Sequence, residues 1–189
     1  YKEKLFKIIF FEIYYSIIYF GRGKSFKPPH IHPCPYYFIS KISQFINKKK
    51  ISSIVDLGCG FGRLTNFLNN TTNAKIYGYE IDKEVFDIAN KNKGKNVTIT
   101  LGDVLNVDYN NLNVECFIVN DPFYKTTKEN LIAHESLIKK IEQSRVNLGQ
   151  KYYLIAINVN ETRNYIYNNQ KLIKVVSAGS TRKIKFYSS

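Results

Sequence analysis

The 189-residue sequence has few cysteines, and this limits the kinds of fold open to it. Its three cysteines, Cys34, Cys59 and Cys116, are odd in number and widely spaced. A disulfide framework of the kind found in small secreted domains is therefore excluded, and we expect a reducing, cytoplasmic location. Without such cross-links the chain must fold around a hydrophobic core. Its 44% hydrophobic residues are sufficient for one globular domain of this length.

Acidic residues are also scarce. The sequence has 15 Asp and Glu against 28 Lys and Arg, which gives a net charge of +13. A charge of this sign attracts nucleic acid or an anionic membrane surface. However, the lysines are scattered, and their one tight run, Lys48 to Lys50, is typical of a solvated helix end. The composition also favours residues of A/T-rich codons, so charge alone leaves the partner open.

The sequence lacks an uninterrupted hydrophobic run that could cross a membrane. Residues 5–20 are the most apolar segment, but Lys7, Glu12 and Ser16 interrupt it. As a helix it falls short of a hydrocarbon core of about 30 Å, and no signal-peptide cleavage site follows it. We expect this helix to pack on the main domain or on a second copy of the chain, with peripheral membrane contact as the alternative. Because the chain starts at Tyr1 rather than Met, we also expect further sequence upstream.

A stretch rich in proline and glycine, residues 21–35, follows this segment and predicts a linker or a lid. We therefore divide the chain into an N-terminal helix with its lid or linker, 1–32, and a main domain, 33–189. Three residues of metal-binding types alternate here: His30, His32 and Cys34. No fourth ligand is nearby, and a proline-rich loop does not readily fold around an ion, so we predict no metal site.

The most informative segment is a glycine-rich turn. An apolar run ends in Asp56, and glycines follow at alternate positions, Gly58, Gly60 and Gly62. Glycine has no Cβ, so a nucleotide-like ligand can approach the backbone, and the helix that follows contributes free N–H groups. This G-x-G-x-G spacing differs from the G-x-G-x-x-G of dinucleotide sites. Asp56 also suits a cofactor with a cationic amino group better than a pyrophosphate.

Strands and helices alternate along the main domain, which predicts a parallel sheet. We expect strands at 51–57, 75–80, 97–101, 115–120, 152–158, 171–177 and 182–187. We expect helices at 37–47, 62–69, 83–91, 128–144 and 161–168. Ligands of such sheets bind at the carboxyl ends of the strands, where Asp56, Glu80, Asp103 and Asn120 all fall.

Four motifs in this order resemble those of the class I S-adenosylmethionine-dependent methyltransferases. Residues 56–62 match the first motif at every defined position, 79–82 and 101–104 are similar to the second and third, and 120–123 stand where the fourth belongs. The resemblance implies an α/β fold, with a doubly wound, mostly parallel, seven-stranded sheet, one antiparallel strand near the edge, and helices on both faces. It also implies that S-adenosylmethionine is bound by Asp56, Gly58, Cys59, Gly60, Gly62, Glu80, Ile81, Asp103, Val104 and Asn120.

The fourth motif, Asn120-Asp121-Pro122-Phe123, is similar to the N-P-P-F/Y or D-P-P-F/Y motif of enzymes that methylate amino groups. By this resemblance a side-chain oxygen and a backbone carbonyl accept hydrogen bonds from the target nitrogen, and the aromatic ring stacks on a planar substrate. Asp121 either replaces the first proline of this motif or is the first residue of a motif that lacks one proline. The sequence therefore does not decide whether Asn120 or Asp121 faces the substrate. The same four residues would also suit a plain strand-ending turn.

The sequence therefore favours a methyltransferase that acts on a nitrogen of a nucleic-acid base, a protein side chain or a small molecule by in-line displacement. A protein of another class, a binding scaffold that keeps the fold and the cofactor without catalysis, is the first alternative. A dinucleotide-dependent oxidoreductase is the second, and the glycine spacing and Asp103 argue against it.

Overall fold

The computed structural model describes residues 34–123, 127–158, 161–178 and 182–189. The apolar segment 5–20, His30, His32 and nearly all of the proposed lid lie outside these residues, so the division at residue 32 stays a prediction. Within the described ranges, no helix is both long enough and apolar enough to span a bilayer.

Four helices and seven strands lie within the described residues, and they follow one another in the order that the sequence predicts. The helices are α1 (Tyr36–Lys49), α2 (Arg63–Thr71), α3 (Lys83–Lys91) and α4 (Lys128–Leu148). The strands are β1 (Ser53–Leu57), β2 (Lys75–Glu80), β3 (Val97–Leu101), β4 (Cys116–Asn120), β5 (Tyr153–Ile157), β6 (Lys171–Ala178) and β7 (Arg182–Ser188). Two short 3-10 helices lie at Val104–Asn106 and Glu161–Tyr167.

The seven strands form one sheet in the order β3-β2-β1-β4-β5-β7-β6. Neighbouring strands from β3 through β5 are parallel, whereas β7 pairs antiparallel with both β5 and the edge strand β6. This confirms the predicted mostly parallel sheet with one antiparallel strand near its edge. The order reverses direction at β1, so β1 and β4 flank the crevice where an open α/β sheet binds its ligand.

The central strands are buried on both faces, which explains why they read as nearly continuous apolar runs. Ile54 faces a layer made by α1, α2 and α3, and its neighbour Val55 faces a layer made by α4 and the two 3-10 helices. Both residues are fully buried. Helices on both faces leave the sheet's edges and strand ends as the places where polar groups can gather.

Several elements differ from the expected ones in their boundaries or in their type, and three of them are informative. Helix α4 continues to Leu148 rather than stopping at 144, because Arg145 is buried and the helix ends only at Gly149, whose φ of 61° closes it. Helix α1 runs from Tyr36 to Lys49, slightly longer at both ends than expected. The segment expected as a helix at 161–168 is a 3-10 helix.

Candidate active site

The carboxyl ends of four strands meet at one edge of the sheet. Leu57 at the end of β1 pairs with Tyr79 of β2 and with Val119 of β4. Glu80, the last residue of β2, pairs with Leu101 at the end of β3. The register therefore places the predicted residues Asp56, Glu80, Asp103 and Asn120 along a single edge, as the sequence predicts.

The glycine turn leaves β1 through three residues in the left-handed region, Gly58, Gly60 and Gly62, with φ of 88°, 56° and 78°. The N–H groups of Gly58 and Cys59 donate to the carbonyl of Tyr79 at 3.0 and 2.9 Å. This conformation favours glycine, because L residues with a Cβ are strained there. A Cβ on Gly58 would lie 3.3 Å from the Cβ of Pro122, so this turn and the fourth motif are in close contact.

Glu80 ties the glycine turn to the end of β2. One carboxylate oxygen accepts the N–H of Gly60 at 2.8 Å, and the other accepts the N–H groups of Ile81 and Asp82 at 2.9 Å each. Its side chain is buried by these contacts. Ile81, by contrast, is 67% exposed. The pair offers an acid for ribose hydroxyls and an apolar surface for a base.

Asp56 carries an unsatisfied buried oxygen at this edge. Its side chain is 2% exposed, and its Oδ1 has no hydrogen-bond partner among the described residues. Burial, helped by the negative charge of Glu80, raises the pKa of Asp56 to about 7. A cationic amino group would satisfy this oxygen and restore its charge, whereas a pyrophosphate would not. The site therefore fits S-adenosylmethionine better than a dinucleotide.

The third motif begins with Asp103, whose Oδ1 accepts the N–H of Leu105 at 2.9 Å and so caps the first 3-10 helix. The side chain of Val104 packs into the core, and its carbonyl accepts the hydroxyl of Tyr109 at 2.8 Å. Any contact of Val104 with a cofactor would therefore come from its backbone. The binding roles of both residues stay predictions.

The fourth motif forms a turn directly after β4, here called the acceptor turn, residues 120–123. Asp121 adopts a φ of 45°, a left-handed conformation for a residue other than glycine. Its carboxylate forms an ion pair with Arg163, whose side chain is 1% exposed. Arg163 also donates a hydrogen bond to the carbonyl of Phe123 at 2.6 Å. The Nδ2 of Asn158, at the end of β5, donates to Oδ1 of Asn120 at 3.3 Å.

Phe123 is partly buried, and its ring centroid lies 6.0 Å from that of His134 in α4. Burial lowers the pKa of His134 to about 4, so the imidazole is uncharged at neutral pH. Its Nε2 lies 2.6 Å from the hydroxyl of Tyr167. His134, held by Tyr167, packs beside the ring of Phe123. Stacking of that ring on a substrate stays a prediction.

Sequence reasoning missed three residues that shape this edge: Gly78, Asn158 and Arg163. A Cβ on Gly78, inside β2, would lie 3.0 Å from the Sγ of Cys59, so this glycine makes room for the turn. Asn158 and Arg163 follow β5, the next strand along the same edge. Position after a strand end was the one signal available for them, and nothing in the sequence distinguishes them from other polar loop residues.

The start of α1 lies close to the glycine turn. The guanidinium of Arg63, which follows Gly62, stands 4.5 Å from the ring of Tyr36 and donates to the carbonyl of Cys34 at 3.5 Å. Both Cys34 and Tyr36 are buried. The segment that enters α1 is therefore anchored beside the glycine turn, and a role for residues 21–35 as a lid stays a prediction. The rest of that predicted lid lies outside the described residues.

Residues 54–141 match the family described as "Methyltransferase domain". The fold is similar to that of magnesium protoporphyrin IX methyltransferase from Synechocystis PCC 6803 with bound S-adenosylmethionine, at 14% identity and a TM-score of 0.60, covering 80% of this chain and 78% of that one. Residues 54–141 therefore match a methyltransferase domain, and the described residues have a methyltransferase-like fold. The predicted fold is thereby confirmed, and the S-adenosylmethionine bound in this neighbour is consistent with the predicted cofactor.

Two further comparisons involve methyltransferases named for RNA. The chain is 37% identical over 89 residues to ribosomal RNA small subunit methyltransferase A of Mesomycoplasma hyopneumoniae strain 232, covering 47% of this chain and 34% of that protein. An RNA methyltransferase from Salinibacter ruber with S-adenosylhomocysteine has the same fold, at 15% identity and a TM-score of 0.59, covering 83% of this chain and 93% of that one. The match spans about a third of the length of the curated relative.

Proposed function

We propose that the methyltransferase transfers the methyl group of S-adenosylmethionine to an amino nitrogen of an RNA base. The close approach of the glycine turn and the acceptor turn carries this proposal. With Gly58 directly beside Pro122, a methyl donor held by the first turn and a nitrogen held by the second would be neighbours. In-line displacement requires this proximity and little acid–base assistance.

Bound S-adenosylmethionine supplies a methyl group on a positively charged sulfur, which is ready for attack by a nitrogen lone pair. Asp56 would hold its amino group, Glu80 its ribose, and Ile81 and Asp103 its base. Asn120 and the backbone carbonyl after it would accept hydrogen bonds from the target amino group. These bonds point the lone pair toward the methyl group. As the N–C bond forms, the S–C bond of the donor would break, S-adenosylhomocysteine would leave, and the methylated nitrogen would give up one proton to solvent.

The charge of the acceptor turn favours a base over a lysine side chain. The carboxylate of Asp121 is already paired with Arg163, so the turn offers uncharged oxygen acceptors. A lysine amine, with an ordinary pKa near 10.4, would arrive as an ammonium ion and would need a group to take its proton. The amino group of a base is neutral and donates hydrogen bonds directly. The net charge of +13 and the relatives named for ribosomal RNA also support RNA.

The proposal is tested by methyl transfer from tritiated S-adenosylmethionine in three parallel reactions. The substrates are small-subunit ribosomal RNA made by transcription, single-stranded DNA of the same sequence, and a lysine-rich protein. We expect label in the RNA, recovered as a methylated amino group after digestion to nucleosides. Label in the protein alone would overturn the proposal. Cofactor binding without transfer to any substrate would support the non-catalytic scaffold instead.

Asn120→Ala provides the matching variant. We expect it to lower the rate of transfer at least about 100-fold, because orientation of the nucleophile is lost, while the affinity for S-adenosylhomocysteine stays within about threefold. The control is Asn110→Ala, which truncates an exposed asparagine in the loop before β4 and should leave both quantities unchanged. A fully active Asn120→Ala enzyme would remove this residue from the proposed role.

A further inference from the structure

Arg163 is a buried cation that belongs to no motif, yet it contacts two different parts of the acceptor turn. It lies in the 3-10 helix after β5, 42 residues along the chain from its partner Asp121. Its guanidinium pairs with the Asp121 carboxylate and donates to the carbonyl of Phe123 at 2.6 Å. The two contacts lie on either side of Pro122.

Burial of this guanidinium is unfavourable unless its hydrogen bonds are satisfied. Burial lowers the pKa of Arg163, but arginine keeps its charge in proteins. The charge is compensated by Asp121, and the planar fork of donors suits one carboxylate oxygen and one carbonyl together. A lysine, with a compact ammonium, could not reproduce this two-point contact.

The conformation that Arg163 holds is a strained one. A left-handed φ at a residue other than glycine is uncommon and strained, and it persists where surrounding contacts enforce it. Asp121 has such a φ, 45°, and its side chain and the carbonyl two residues later both bind Arg163. Without the guanidinium, the turn would have neither the partner for its carboxylate nor the restraint on its second half.

These contacts divide the roles of the two candidate residues. Asp121 is committed to Arg163, and its side chain is 16% exposed. Asn120 is oriented from another direction, by the Nδ2 of Asn158 at 3.3 Å from its Oδ1. An amide oxygen with two lone pairs can accept this bond and a second one from a substrate amino group.

We propose that Arg163 is a positioning residue that clamps the acceptor turn, with Asp121 as its anchor and Asn120 as the residue that meets the target amino group. This inference rests on the proposed function for its kinetic consequence. Its structural consequence, a turn that loosens when the clamp is removed, can be measured without any turnover.

The kinetic test compares Arg163→Gln with Arg145→Gln. Arg145 is the matched control because it is also 1% exposed and also binds backbone carbonyls, but near Leu112 and Val114 at the opposite edge of the sheet. We expect Arg163→Gln to lower kcat on ribosomal RNA at least about 30-fold, with KM and the Kd for S-adenosylhomocysteine within about threefold. Arg145→Gln should lower the melting temperature and keep kcat. Equal kcat values for the two variants below their melting temperatures would overturn the proposal.

The ion pair can also be broken at Asp121, which is more exposed than Arg163. This second variant keeps the proposal testable if Arg163→Gln does not fold. Asp121→Asn should lower kcat less than Asn120→Ala does, because it weakens the clamp and leaves the accepting group in place. The double variant Asp121→Asn with Arg163→Gln should recover part of the activity, since two amides can pair without charge. An Asp121→Asn loss as deep as that of Asn120→Ala would contradict the division of roles.

Hydrogen exchange supplies the readout that does not depend on activity. In Arg163→Gln and Asp121→Asn, the amides of residues 119, 120, 121 and 123 should exchange faster than in the parent protein, and in Arg145→Gln they should not. Unchanged exchange in the clamp variants would overturn the inference even if RNA is methylated. If exchange is faster in the two clamp variants but the parent protein methylates no RNA, the clamp is supported and the proposed function is rejected.

Discussion

At the scale of single residues, the ionisation of Asp56 links cofactor binding to pH. The pKa of this carboxyl is about 7 because burial, and then the charge of Glu80, disfavour its anionic form. The amino group of the cofactor, with an ordinary pKa near 7.7–8.0, is a cation at pH 6. A cation beside Asp56 stabilises the carboxylate and drives its proton off.

We predict that binding of S-adenosylmethionine at pH 6 releases about one proton, and that the affinity rises with pH until about 7. Titration calorimetry in two buffers of different ionisation enthalpy measures this release. Asp56→Asn should abolish the proton release and weaken binding. A parent protein that binds the cofactor without releasing a proton would show that Asp56 does not meet the amino group.

The same shift has a consequence for the stability of the free protein. A carboxyl whose pKa is raised on folding is tolerated at low pH and destabilises the folded state as the pH rises from about 3.8 to about 7. Asp56→Asn should therefore stabilise the cofactor-free protein at pH 8, by an amount of the order of 1–4 kcal/mol, while it weakens the site. Thermal unfolding at pH 4 and pH 8 tests this, since the gain should be confined to the higher pH.

At the scale of elements, β2 shapes the cofactor site through a residue that faces no ligand. Gly78 sits inside this strand, and the side chain of Cys59 fills the space above it. The glycine turn can therefore pack down on the sheet, where Gly58 and Cys59 bond to the carbonyl of Tyr79. Strand and turn thus form one unit, and the turn's position depends on the absence of a side chain in its neighbour.

We predict that Gly78→Ala weakens binding of S-adenosylhomocysteine at least about tenfold, because its Cβ would lie 3.0 Å from the Sγ of Cys59 and lift the turn. Gly149→Ala is the control. It also replaces a glycine and should cost about 1 kcal/mol of stability at its φ of 61°, but it lies at the end of α4, away from the site. Calorimetry should find that Gly149→Ala binds S-adenosylhomocysteine as tightly as the parent protein does. Equal losses of affinity in Gly78→Ala and Gly149→Ala would contradict the proposed contact between Gly78 and Cys59.

At the scale of the whole molecule, the surplus of positive charge should make the binding of RNA depend on salt much more than the binding of the cofactor does. Attraction to RNA phosphates is long-ranged and screened by salt, whereas the cofactor is held by short contacts within a crevice. The lysines are spread over the chain, so the charge attracts RNA without selecting a base. Selection would then fall to the acceptor turn.

We predict that the affinity for single-stranded RNA falls about tenfold between 50 and 200 mM salt, as expected for two or three phosphate contacts. The affinity for S-adenosylhomocysteine should change less than about twofold over the same range. Fluorescence anisotropy with a labelled oligoribonucleotide and calorimetry with the cofactor product give the two values. An RNA affinity that does not change with salt would show that the net charge does not contribute to RNA binding.

The sequence by itself determined the succession of strands and helices and the strand ends that form the cofactor edge, and the resemblance of its four motifs implied the mostly parallel seven-stranded sheet. Each of these depends on local patterns: apolar runs of strand length, amphipathic helices between them, and glycines where the backbone turns sharply. The motif residues are also local, since each follows the end of its own strand. A parallel sheet then brings those strand ends together, so the meeting of Asp56, Glu80 and Asn120 could be predicted before any coordinates.

The tertiary structure alone decided how the acceptor turn is held and which of its two polar residues is paired with Arg163. Arg163 contacts Asp121, which is 42 residues away in the chain, and Gly78 in β2 makes room for the side chain of Cys59 in the glycine turn. Neither contact leaves a periodic or compositional trace, because each depends on where separate elements come to rest. Burial of a single guanidinium has no counterpart in the sequence pattern, and it is this burial that commits Asp121 to Arg163.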